Sequence, residues 1–196
     1  PDLYDQWCAT HPLTELPKWK RGENMRLVKT EEQWQRAAEL AAEGRRAVGA
    51  PVGTPDALAS LTAEALLPQL LQQHKDGWAF YLHFTKNVPD GMVGVCHRTG
   101  RIGCLFVTEA SRGRGIGAKM LDFARKKLPE HTNPTLTVLN TNTRAIALYK
   151  RMGWVPAGTE AVYDPAKDAF CAVYCEELRM CYRPPVKDFV SADQQC

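Results

Sequence analysis

The sequence predicts a mixed α/β domain, and three patterns carry that expectation. Residues 78–107 fall into three short runs rich in aromatic and β-branched side chains with apolar–polar alternation, the patterning of strands. Residues 116–128 switch to a helical period, with Ile116, Met120, Phe123, Ala124 and Leu128 on one stripe. Residues 135–139 return to strand composition, so 101–139 reads as strand, helix, strand, and its two strands should be parallel.

The elements follow in chain order. Residues 1–24 are polar and lack a period; they read as an extension wrapped onto the domain, with Trp7 and Trp19 as anchors. A short strand is expected at 25–29. Thr30-Glu31-Glu32-Gln33 forms a capping box and opens a helix that runs to about residue 43. Glycine and proline content predicts a loop over 44–57. A second helix lies within 58–74, where Pro68 either kinks it or marks its first turn. Strands at 78–85, 92–97 and 101–107 form an antiparallel meander, the last two joined by Arg98-Thr99-Gly100. Pro129 stops the 116–128 helix. Asn142 caps a short helix that ends at Gly153. Residues 154–163 and 169–180 read as a hairpin around 164–168. The domain therefore spans 25–180, with 181–196 as a tail.

Composition narrows the function classes. With 44% apolar and 24% charged residues in 196, the chain can bury a core, which excludes a disordered or collagen-like polymer. No run reaches the ~18 apolar residues of a membrane span. The first twenty residues lack the apolar stretch of a signal peptide. Seven cysteines (8, 96, 104, 171, 175, 181, 196) are odd in number and show no CxxC pairing. They read as reduced, mostly buried thiols, which fits a cytoplasmic setting and no metal site. Cys171 and Cys175, four apart in an expected strand, share a face but stand too far apart to bridge. A net charge of +3 does not by itself imply nucleic acid.

The chemistry concentrates in Arg112-Gly113-Arg114-Gly115-Ile116-Gly117, between a strand end and a helix start. Three glycines in five positions leave backbone N–H groups uncovered, and the helix N-terminus adds free donors and a positive dipole end. Residues 112–127 hold six Lys/Arg against one acid, Asp122. Together these suit a phosphate. The spacing is G-x-G-x-G rather than the dinucleotide G-x-G-x-x-G, and no Gly-Lys-Ser/Thr follows, so neither a dinucleotide nor an NTP is indicated.

That loop resembles the Q/R-x-x-G-x-G/A signature of the GCN5-related N-acetyltransferases. A second segment, Asn142-Thr143-Arg144-Ala145-Ile146-Ala147-Leu148-Tyr149-Lys150-Arg151-Met152-Gly153-Trp154, is similar to the family's N-x-x-A-I-x-L-Y-x-x-x-G-F/W block. The resemblance covers 101–158. It implies a central, mostly antiparallel sheet with a splayed parallel strand pair, flanking helices, and acetyl-CoA as cosubstrate in the gap. Leu105, Phe106 and Val107 would offer backbone groups to the pantetheine and thioester. Arg112, Gly113, Arg114, Gly115, Ile116, Gly117 and Ala118 would cradle the pyrophosphate. Asn142 would contact the pantetheine arm, and Tyr149 would protonate the leaving thiolate. The implied reaction is direct acetyl transfer to a primary amine on a small molecule or peptide within a ternary complex.

The chain departs from the family where a general base is expected. Members acting on peptide N-termini carry a glutamate at the position of Thr137, and members acting on histone lysines carry one near Arg101. His83, His97 and Glu109 are the remaining candidates, each also readable as structural. Trp34 either lines an acceptor pocket or packs on the sheet. The missing glutamates leave open a catalytically silent acyl-CoA-binding module. The basic 112–127 face and Lys18-Trp19-Lys20-Arg21 leave open an RNA-associated protein. A homodimer is compatible with the sequence, which does not fix the oligomeric state.

Overall fold

The computed structural model describes residues 24–49, 54–130, 132–160 and 177–183. The extension with Trp7, Trp19 and Lys18 to Arg21, the 164–168 turn, the start of the last expected strand, cysteines 8, 171, 175 and 196, and the tail from 184 lie outside the described residues.

Seven strands form one mixed sheet in the order β1-β2-β3-β4-β5-β7-β6. They are β1 (Asn24–Leu27), β2 (Trp78–Thr85), β3 (Val88–Cys96), β4 (Arg101–Val107), β5 (Thr135–Leu139), β6 (Trp154–Glu160) and β7 (Glu177–Tyr182). All neighbours are antiparallel except β4 and β5. Helices α1 (Glu31–Gly49) and α3 (Ala63–Lys75) lie on one face, with the short α2 (Pro55–Ala59) between them in sequence. Helix α4 (Ile116–Lys127) lies on the other face, and α5 (Thr143–Arg151) precedes β6. Strand alternation divides the core between the two faces. Phe80, Leu82 and Met92 pack with Leu40, Leu66 and Leu70 of α1 and α3. Val93, Val95, Ile102 and Leu136 pack with Met120 and Leu121 of α4.

Local signals explain most boundaries. The Thr30 hydroxyl accepts from Gln33 N at 3.3 Å while Gln33 Oε1 accepts from Thr30 N at 3.2 Å, the reciprocal capping box. Lys86 and Asn87 take positive φ in the tight turn between β2 and β3. Asn142 Oδ1 accepts from Ala145 N at 3.2 Å, and Gly153 adopts φ +84 just beyond α5.

Several expectations are corrected, and the open choice at Pro68 is resolved. Helix α1 continues through Gly49, where a loop was expected from residue 44. Gly44 is a packing residue there: a Cβ would stand 2.8 Å from the Phe106 ring. Helix α3 begins after its cap Thr62, whose hydroxyl accepts from Ala65 N, so Pro68 lies inside the helix and is not its start. Strand β3 begins at Val88, four residues early, because its pairing with β2 carries it past Pro89. His97 falls in the turn after β3 and is exposed. Strand β7 runs to Tyr182.

Gly44→Val should destabilise the protein by about 2 kcal/mol in urea unfolding, the cost of forcing a side chain against a packed ring. An unchanged midpoint would show that Phe106 moves aside freely.

Candidate active site

Strands β4 and β5 diverge almost from their first pair. Their only registered partners are Arg101 and Thr135, backed by Thr135 N donating to Gly100 O at 3.0 Å and Arg101 Nη2 to Thr137 Oγ1 at 3.0 Å. The other edge of β4 supplies the cause. Gly94 pairs with Gly103 but Met92 pairs with Phe106, so β4 carries one extra residue, with Cys104 at φ +51. This bulge turns the C-terminal half of β4 away from β5. Beyond the bulge, the β4 edge facing β5 has no ladder partner.

Two cavities open into that gap. One, of about 640 Å³, faces the α4 and α5 side. The other, of about 610 Å³, faces α1 and α3. Both are lined by Val48, Leu105, Phe106, Asn142 and Tyr149, so these residues form the partition between them. Of the twelve site residues read from the sequence, eleven line the first cavity: Leu105, Phe106, Val107, Arg112, Gly113, Gly115, Ile116, Gly117, Ala118, Asn142 and Tyr149.

The glycine loop has the conformation its sequence suggested. Gly113 and Gly115 have φ +78 and +75, a region that strains L side chains, and Gly115 caps α4 without a side-chain bond. The first helical bond runs from Lys119 N to Gly115 O at 3.1 Å, which leaves the N–H groups of Ile116, Gly117 and Ala118 as first-turn donors on the cavity wall. Arg112 folds back: its Nε donates to Val107 O at 2.9 Å, and its guanidinium lies 5.5 Å from the Phe106 ring centre.

Arg114 is the exception among the twelve, because it does not line the cavity. Its Nη2 donates to Ser111 Oγ at 2.6 Å and stands 3.7 Å from Asp90 Oδ2. Asp90 is buried in β3 and accepts from His83 Nδ1 at 2.6 Å. Burial alone would raise the Asp90 pKa, but hydrogen bonding to His83, Thr85 and Ser111 holds it below the usual carboxylate range. The Asp90 carbonyl also accepts from Thr108 N at 2.9 Å, so this buried cluster ties the glycine loop to the meander.

Tyr149 is buried, lines both cavities, and has its pKa pushed up to about 12 by burial. Cys104 also faces the cleft; burial pushes its thiol up, partly offset by the charge of Arg45. None of the base candidates lies there. His83 is held by Asp90, His97 is in an exposed turn, and Glu109 is on the exposed 3₁₀ turn Glu109–Ser111. Trp34 packs on Phe80 and His74, with centroids 5.7 and 5.2 Å away, and does not line either cavity. The sequence reading missed the residues of the second cavity that come from helices: Ala41, Arg45 and Val48 of α1, and Gln73 of α3. For Arg45 and Val48 the signal was the helical period continuing through 44–49, which the Gly44 and Gly49 content hid; Ala41 and Gln73 lie in expected helices and carry no motif. The basic face of α4 is partly structural, since buried Asp122 pairs with Arg125 at 2.9 Å and Lys126 at 2.6 Å. Among the described residues no helix is long and apolar enough to cross a membrane.

The sequence profile of the acetyltransferase (GNAT) domain matches residues 50–165. No curated protein sequence matches the chain significantly. Among solved structures, a GCN5-related N-acetyltransferase from Rhodopseudomonas palustris superposes with a TM-score of 0.60 at 13% identity, covering 86% of this chain and 99% of that one. The PaiA N-acetyltransferase of Thermoplasma acidophilum, solved with coenzyme A, gives 0.56 at 14% identity over 81% and 99%. An indole-type "IAA acetyltransferase" label belongs to a Bacillus cereus protein that gives 0.54 at 15% over 81% and 97%. At these identities the structures establish a shared fold.

Because Tyr149 holds its proton longer when folded than when unfolded, its contribution to stability is complete below pH 10 and is lost as pH rises toward 12. Relative to Tyr149→Phe, the wild type should lose about 1 kcal/mol of unfolding free energy by pH 11. Chemical denaturation at pH 8 and pH 11 checks this, and parallel losses in both proteins would contradict the burial of the hydroxyl.

Proposed function

The chain belongs to the acetyltransferase (GNAT) domain family, and from that premise we propose that it transfers an acetyl group from acetyl-CoA to a primary amine in a ternary complex. The observation that carries the proposal is the pair of cavities meeting at one partition inside the β4–β5 gap. A two-substrate transfer needs both reactants held at a common point, and such a gap supplies separate approaches to it.

The residues present fit the donor. Backbone N–H groups from Gly113 to Ala118 and the start of α4 suit a pyrophosphate, with the glycines leaving the backbone bare. The β4 edge without a ladder partner around Leu105, Phe106 and Val107 suits an amide-rich arm through the backbone groups that Arg112 leaves open. Asn142 uses Oδ1 for its cap and keeps its amide N–H donors for that arm. Acetyl-CoA supplies an activated thioester when bound.

In this reading, backbone N–H near Val107 polarises the thioester carbonyl and Tyr149 donates a hydrogen bond to the leaving sulfur. A pKa of about 12 keeps Tyr149 protonated at every working pH. It also makes Tyr149 a weaker acid than the free side chain, so steady hydrogen-bond donation fits better than early release of its proton; as the C–N bond forms and the C–S bond breaks, the proton shed by the amine nitrogen ends on the sulfur. No Asp, Glu or His lines either cavity among the described residues, and the attacking amine therefore arrives already neutral. That same lack favours a second reading, an acyl-CoA-binding module that does not turn over.

Calorimetric titration separates these outcomes. Acetyl-CoA should bind in the micromolar range with little heat from ATP, and Gly115→Asp should abolish donor binding while the fold survives, because a carboxylate would face the pyrophosphate. Wild-type affinity in that variant would remove the loop from the site. Tyr149→Phe should lower kcat more than it changes the KM for acetyl-CoA, and log kcat/KM should climb with pH to the pKa of the amine itself, with no plateau near neutrality. Donor binding without turnover across amines would establish the silent module.

A further inference from the structure

Lining the cavity on the α1 and α3 side is a guanidinium, that of Arg45, with no carboxylate partner among the described residues. A second lining arginine, Arg101, is engaged with Thr137 at the base of the strand pair. Arg45 has a different status. Its Nη1 donates to the neutral amide of Gln69 at 3.1 Å, and it forms no ion pair among the described residues. Its Nε–Nη2 edge is therefore left for a planar anion, the geometry in which arginine binds carboxylates with two parallel bonds. Its charge acts inside the pocket, since it opposes the rise that burial imposes on the Cys104 thiol.

Two neighbours complete a recognition surface. Gln73 lines the same cavity, and its Oε1, occluded in this structure, has no hydrogen-bond partner among the described residues. The Trp78 ring supplies an apolar wall, lying within 3.2 Å of where a Cβ on Gly103 would stand.

We propose that the acceptor is an amine that also bears a small anionic group, with Arg45 as the residue that selects it. The amine half of this inference rests on the transferase reading; the anion half rests on Arg45. A diamine of the same length would place a second cation against the Arg45 guanidinium in a partly desolvated pocket, which disfavours it.

Matched pairs titrated into the protein, alone and saturated with CoA, test this: L-phenylalanine against phenethylamine, 4-aminobutyrate against 1,4-diaminobutane, and O-phosphoethanolamine against ethanolamine. The first two pairs report a carboxylate and the third a phosphate. At least one anion-bearing member should bind about tenfold or more tightly than its partner, the scale of a charge-assisted bidentate contact. Arg45→Gln should erase that preference and Arg45→Lys retain part of it, with acetyl-CoA affinity as the control for a folded site. Equal binding within every pair, tighter binding of the partners lacking an anion, no binding by any of the six, or a preference that survives Arg45→Gln would each overturn the proposal. Acetyl transfer measured on the same compounds keeps the two readings apart. Anion-selective binding lost in Arg45→Gln, without transfer to any of the amines, would support the pocket assignment and count against the transferase alone.

Discussion

Between β4 and β5 the backbone ladder closes once, at Arg101 and Thr135, and everything past that pair is a gap the rest of the protein holds open. A buried strand edge without partners carries unsatisfied backbone groups, each worth about 1–3 kcal/mol if nothing else bonds to it. Several features make the gap tenable. The bulge at Cys104 steers β4 outward, the Phe106 ring fits against the bare backbone of Gly44, and Arg112 occupies the Val107 carbonyl. Strand β5 meanwhile pairs with β7 over five residues, so its far edge is fully used while its near edge faces the cleft.

The glycine loop is stiffened from behind. Asp90 sits in β3, receives a hydrogen bond from His83 in β2, takes Thr108 N on its carbonyl, and stands opposite Arg114. This arrangement fits the structural reading of His83 and gives Arg114 work that the sequence alone did not suggest. Arg114 sits inside the glycine loop yet is turned toward a buried carboxylate, and His83 is a structural partner of that carboxylate. At Gly113, Gly115 and Gly117 the loop offers the cleft wall bare backbone, which neither titrates nor changes rotamer, a sensible way to present positive potential to an anion.

The two halves of the cleft differ in legibility for a physical reason. The half on the α4 and α5 side is made by contiguous sequence: a strand end, a glycine loop, a helix start, and a capped helix thirty residues on. Its signals are local and additive, so the strands at 101–107 and 135–139, the cap at Asn142 and the C′ glycine at 153 could all be read directly. The half on the α1 and α3 side draws on residues from 41 to 149 with no motif joining them. Gly44 illustrates the difficulty. By local propensity it ends a helix; in the fold it is tolerated mid-helix because only a residue without a Cβ lets α1 approach Phe106. Arg45, next to it, was hidden by the same misreading. Pro89 behaves alike, extending a strand where local preference would delay it, because pairing with β2 outweighs propensity.

By itself the sequence determined the mixed α/β class, the order of most elements, the family resemblance and most of the residues that line the first cavity, since each is encoded by short-range spacing, caps and glycine placement. Only the tertiary structure decided where β4 leaves β5, that Arg114 and His83 brace the loop through Asp90, that Tyr149 is buried enough to hold its proton to about pH 12, and that an arginine with no carboxylate partner among the described residues lines the second cavity. Those properties depend on burial and on contacts between residues distant in the chain, and neither is written in the spacing of neighbours.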